Sequence, residues 1–192
     1  MLRGGNLANN DDFFERDHYL RVIKLRPLFP VPLMTLPPVS PIINPALLSN
    51  ITKPVLEMKL EDGSIFRMGG IPQNIALEIW EVLERKKLPA EMEFERVDPR
   101  LTLSQVITEL AEVKRVRITD ILPQYNVYVA ELDLIPEGFG KPVTLQMVPS
   151  HAILVALRAR AEIYVSRSLI ENIREEEEEL EGRREDEGYY DV

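Results

Sequence analysis

The sequence predicts a single α/β domain of the α+β kind, with helices packed on a mixed β-sheet. Three observations predict it. Across 54–172, segments whose apolar residues alternate with period two follow segments with helical spacing. At 192 residues the chain can bury one sizeable core. The two stretches that fit neither pattern, a Pro-rich uncharged run and an acidic run, interrupt or follow that core.

Residues 1–17 are rich in Asn, Gly and Asp and read as a flexible N-terminus. Over 18–26, Tyr19, Val22 and Leu25 are set among Arg21, Lys24 and Arg26, which reads as a strand joining the core. The run 27–53 follows, with seven prolines and no charge before Lys53. Proline removes a backbone donor and obstructs a helix, so this reads as an extended arm and not a membrane span. Its Leu28, Phe29, Val31, Leu33, Met34 and Leu36 are more apolar than an exposed segment usually is. A homo-oligomer, dimer or larger, docked through the arm is therefore expected.

The core begins at 54. Val55 and the residues to 60, then 65–68, form a hairpin around Asp62-Gly63. Pro72 suits the first turn of a helix that carries Ile75, Ile79, Val82 and Leu83 on one face, with Trp80 on its flank. Thr102-Leu103-Ser104-Gln105 fits a capping box, opening a second helix with Leu103, Val106, Ile107 and Leu110 on one face. Strands follow at 113–120, 125–134 and 142–148. Pro149 and Ser150 start a helix over 150–159, where Ser150 is the expected cap and Ala152, Val155, Ala156 and Ala159 make a small-residue stripe. A strand at 162–165 and a helix from Ser168 complete the core. The run from Glu175 to Glu179 places like charges three and four apart, so that helix weakens and 173–192 reads as an acidic tail.

Composition narrows the chemistry. There is no Cys, hence no thiolate nucleophile, disulfide framework or zinc ribbon. His18 and His151 are the only histidines, so a metal would need carboxylates, which favour magnesium or manganese. The net charge of −9 is concentrated: 11 of the 32 acids but only 3 of the 23 basic residues lie in 171–192. The remaining chain is near neutral, so nucleic acid is a possible partner that charge alone does not favour. The first residues lack the basic start and apolar core of a signal peptide, and a cytoplasmic location is expected.

The segment Pro149-Ser150-His151-Ala152-Ile153-Leu154-Val155-Ala156-Leu157-Arg158, with Tyr164-Val165-Ser166 after a turn, resembles the signature of the bifunctional nuclease family, a small α/β domain. Val113 to Asp120 and Val127 to Leu132 look like that family's paired strands, and the resemblance covers 18–26 and 54–172. It implies a nuclease fold with a metal-dependent phosphodiesterase site, but several of the signature's polar positions are changed. The family's Asp after Pro-Ser is His151, its Arg before that Pro is Val148, and its His-Asp pair near Thr102 is Leu103-Ser104. The Glu expected after Gly69 or Gly70 is Pro72 or Gln73, whereas Asp120 matches. The family's glycine at the turn before the last strand is Arg160, where a left-handed backbone would cost roughly 1 kcal/mol.

Asp120 is the candidate magnesium or manganese ligand. His151, at a helix start where the dipole favours the neutral ring, is the candidate general base beside Asp120. Arg115 and Arg117, opposite Val116 and Ile118 on their strand, join Arg158 as a candidate anion-binding surface. The competing structural reading pairs Arg115 and Arg117 with Glu131 and Asp133 across the hairpin. Two functions are therefore expected: a metal-dependent nuclease with a degenerate site, or an oligomeric binding or regulatory module that keeps the fold without the chemistry.

Overall fold

A computed structural model describes residues 18–30, 53–85, 101–122, 124–125 and 127–175. The N-terminal segment, the arm over 31–52 and the tail beyond 175 lie outside them. Seven strands form one sheet: β1 (Tyr19–Leu28), β2 (Val55–Leu60), β3 (Ile65–Met68), β4 (Ala111–Leu122), β5 (Val127–Pro136), β6 (Val143–Met147) and β7 (Glu162–Ser166). Their spatial order is β3-β2-β1-β7-β4-β5-β6. β4 and β7 are parallel and every other neighbouring pair is antiparallel, which is the mixed sheet the alternating patterns predict. The helices are α1 (Gln73–Arg85), α2 (Leu103–Leu110), α3 (Pro149–Ala159) and α4, described over 167–175.

One face of the sheet is the core. Leu56, Met58, Leu60, Val116, Ile118, Leu132 and Val165 are all fully buried on it. α3 carries the chain from edge strand β6 to central β7, crossing the sheet beneath α1 and α2. That position explains why Ala152 through Leu157 are buried on every side, a wider burial than the small-residue stripe alone requires. Ring contact between Phe66 on β3 and Tyr128 on β5, 5.4 Å between centroids, shows that the sheet is curled. In a flat sheet those strands, five spacings apart, would be about 24 Å apart.

Turn chemistry matches the sequence pattern at Asp62-Gly63. Gly63 has φ 91, and Asp62 Oδ1 accepts the Ser64 N–H at 2.9 Å. Arg160 takes φ 58 and ψ 29, so the left-handed turn persists without its glycine. Gln105 Oε1 accepts the Thr102 N–H at 2.8 Å, as a capping box requires.

Four local expectations are corrected. Ser150 is not the cap of α3: Val148 caps it, Pro149 opens the helix and Ser150 is buried inside the first turn. Pro72 stands just before α1, its carbonyl accepting the Ala76 N–H at 3.0 Å. On α2, Leu103 and Leu110 are exposed and Ser104 is buried, because the helix rests on α3 and β4 by one narrow edge. In β1, a register shift between Val22 and Lys24 changes the phase, so Leu20, Val22 and Leu25 face the core while Tyr19 faces away.

Candidate functional site

The face of the sheet opposite the helices is polar, because strand side chains alternate and the apolar set faces the core. On its β4–β5 half both arginines are matched by acids. Arg115 Nε donates to Asp133 Oδ2 at 2.7 Å, and Arg117 Nη2 lies 3.0 Å from Asp133 Oδ1 and 3.1 Å from Glu131 Oε2. The Thr144 hydroxyl donates to Asp133 Oδ1 at 2.6 Å. The Arg117 guanidinium also lies over the Tyr19 ring, 5.8 Å from its centroid. Burial pushes the Asp133 carboxyl up, but Thr144, Arg115 and the charge of Arg117 outweigh it and hold it below the ordinary carboxylate range. The cross-strand pairing with Glu131 and Asp133 is therefore what holds Arg115 and Arg117, whose guanidinium groups already have carboxylate partners.

Arg158 does not join them. It lies in the helix layer, half-buried, where its Nη2 is 3.2 Å from Glu78 Oε2 on α1. Its Nε is buried without a hydrogen-bond partner among the described residues.

Asp120 and His151 stand at the same end of the sheet, since Ile118, Ala130 and Met147 share a row and α3 starts just after Met147. They are on different layers. A register shift between Ile118 and Asp120 leaves Asp120 opposite Val129 on the outer face, while Ile121 returns toward the core. Asp120 Oδ1 accepts the N–H of Ile121 at 2.7 Å. His151 is half-buried in the first turn of α3, its own N–H donating to the Val148 carbonyl at 3.0 Å. No hydrogen bond joins the two side chains, and no three His, Asp or Glu residues gather to hold a metal among the described residues. Magnesium or manganese prefers several oxygen ligands, so one exposed carboxylate with an oxygen already engaged does not fit such an ion. A cleft of about 730 Å³ lies elsewhere, lined by Arg21, Lys24, Leu83, Leu157 and Glu162 among others, and Asp120 and His151 do not line it.

The other half of the outer face carries unmatched charge that sequence reasoning missed. Lys24 and Arg26 on β1, Lys59 on β2 and Arg67 on β3 all fall on it, and the single acid among them is Glu57. Arg26 Nε donates to Glu57 Oε1 at 2.7 Å and Arg67 Nε to Oε2 at 3.0 Å. Hydrogen bonds from Arg26 and then Arg67 hold the Glu57 carboxyl below its ordinary range. Lys24 and Lys59 are directly opposite one another in register, an arrangement of like charges that is unfavourable unless an anion relieves it. The signal for this cluster was present as basic residues at alternate positions, but only strand order brings three strands' worth together.

The bifunctional nuclease domain model matches residues 77–178, more than half of the chain, from α1 through the β4–β5 hairpin, α3 and β7 into the acidic run. The chain belongs to the bifunctional nuclease domain family. The match leaves out β1 and the β2–β3 hairpin, so the cationic half of this bifunctional nuclease domain protein's outer face lies outside the matched residues. No curated protein matches the sequence. Among the described residues, no helix is long and apolar enough to cross a membrane.

Proposed function

We propose that this chain is a nucleic-acid-binding module of the bifunctional nuclease fold, and that Asp120 and His151 do not make it a phosphodiesterase. One observation carries the binding half of this reading: Lys24, Arg26, Lys59 and Arg67 surround the single acid Glu57 on the outer face of β1–β3. Guanidinium and ammonium groups of this kind recognise phosphate oxygens, and the family's name gives nucleic acid as the polyanion to try. The non-catalytic half is supported by the separation of Asp120 from His151 onto two layers and by the pairing of Arg115 and Arg117 with acids. An oligomer remains part of the proposal, supported by the exposed Val143 and Leu145 of edge strand β6 together with the apolar arm. Light scattering at micromolar concentration should give a dimer or larger.

The decisive experiment is fluorescence anisotropy with labelled single-stranded RNA and DNA over a range of salt concentrations. Three surplus cations predict a log–log salt slope of about −2, at about −0.7 per phosphate contact. Lys24→Glu with Lys59→Glu should abolish most of the binding. The same samples, incubated with magnesium or manganese and with chelator, should show no cleavage. Metal-dependent cleavage that disappears in His151→Ala would overturn the non-catalytic reading and restore a hydrolase.

A further inference from the structure

The cationic half of the outer face stands beside the point where the described chain ends. α4 brings Ile173 and Arg174 against β3, where they line a cleft of about 190 Å³ with Ser64, Ile65, Phe66 and Arg67. The described residues stop one position later, at Glu175. Ile65, in that cleft, is the register partner of Lys59. The chain therefore continues from the edge of the very surface on which Lys24, Arg26, Lys59 and Arg67 outnumber Glu57.

The segment beyond Glu175 has the opposite charge. Residues 176–192 contain nine acids and two arginines. Seventeen residues can span about 55 Å when extended, whereas three neighbouring strands cover about 10 Å, so reach is ample. Neither Lys24 nor Lys59 forms an ion pair with a described residue, and the two repel across their strands. Carboxylates laid between them would relieve that repulsion. Attachment at Glu175 also raises their local concentration far above that of a free anion.

We infer that the acidic segment 176–192 docks on the outer face of β1–β3 of its own chain. The segment then competes with nucleic acid for the same cations, a regulatory role that rests on the proposed binding function, whereas the docking itself does not.

The test uses the full chain, prepared with natural isotopes and with ¹⁵N, mixed in equal amounts. A carbodiimide that couples carboxylates directly to amines is applied at low salt and again at about 1 M salt, where the screening length falls to about 3 Å. Docking predicts coupling of Lys24 or Lys59 to acids within 176–192, in products of a single isotope, reduced several-fold by the added salt. Equal coupling of the segment to the distant Lys141, or products of mixed isotope only, would overturn it. In parallel, Glu176→Gln, Glu177→Gln, Glu178→Gln and Glu179→Gln are combined in one protein. That variant should bind single-stranded RNA about tenfold more tightly than the parent, and should lose most of the coupling. Coupling without RNA binding in either protein would leave docking in place and sink the binding function. Equal RNA binding by both proteins, without coupling, would do the reverse.

Discussion

The two halves of the outer sheet face are built from the same residue types and reach opposite electrostatic ends. On β4–β5, two arginines meet two acids in direct cross-strand register, Arg115 opposite Asp133 and Arg117 opposite Glu131. On β1–β3, the register sets lysine against lysine and leaves Glu57 alone between two arginines. The arginines that stood out in the sequence are therefore held by acids, whereas the overlooked Lys24 and Lys59 face each other without an ion pair to a described residue. Counting basic residues along a chain does not locate an anion site. What matters is whether each guanidinium or ammonium group already has its acid.

Removing the acid that neutralises the β4–β5 half should have the largest effect. Asp133→Asn leaves Arg115 and Arg117 short of a partly buried partner, at a cost of about 2 kcal/mol in stability. Urea unfolding should show a lower midpoint at unchanged slope. If nucleic acid binds as proposed, the same variant should bind it more tightly, because the second half then becomes cationic too.

Acid titration addresses both halves at once. The Asp133 and Glu57 carboxyls lie below their ordinary values in the folded protein. Their contribution is therefore fully present above the unfolded-state value near pH ~4 and is lost as pH falls through the lower folded values. The urea midpoint should fall below about pH 4, and it should fall less steeply in Asp133→Asn.

The turn into β7, the strand that joins the two halves, offers a reference with no charge partner at stake. Arg160→Gly removes the left-handed strain and should raise stability by about 1 kcal/mol, read as a higher melting temperature, with nucleic-acid affinity unchanged.

The smallest stability change sharpens the comparison most. Lys59→Glu places an acid opposite Lys24 and should stabilise the β1–β2 pair by about 0.5 kcal/mol while weakening polyanion binding. A variant that is more stable and binds less separates folding from function on that surface. A gain in affinity would show that the ligand lies elsewhere.

Local periodicity was enough to place most of the elements, because the pitch of a helix and the alternation of a strand are properties of a few consecutive residues. The Asp62-Gly63 hairpin, the Thr102–Gln105 cap and the α3–turn–β7 unit were legible from such local patterns, whereas the left-handed position at Arg160 was suggested only by the resemblance to a family with glycine at that turn. The pairing of Arg115 and Arg117 with Glu131 and Asp133 was legible as opposite charges on adjoining strands, but its register is set by the shift at Ile118/Asp120 and not by the turn. Strand order was not legible, and neither were the register shifts at Val22/Lys24 and Ile118/Asp120. The first shift keeps Leu25 in the core and turns Lys24 and Arg26 outward; the second leaves Asp120 on the outer face while His151 opens the helix layer. A shift of one residue exchanges the faces of a strand, and only packing against distant partners selects it. The sequence alone thus determined the family and the alternation of elements. The tertiary structure decided which charges would meet.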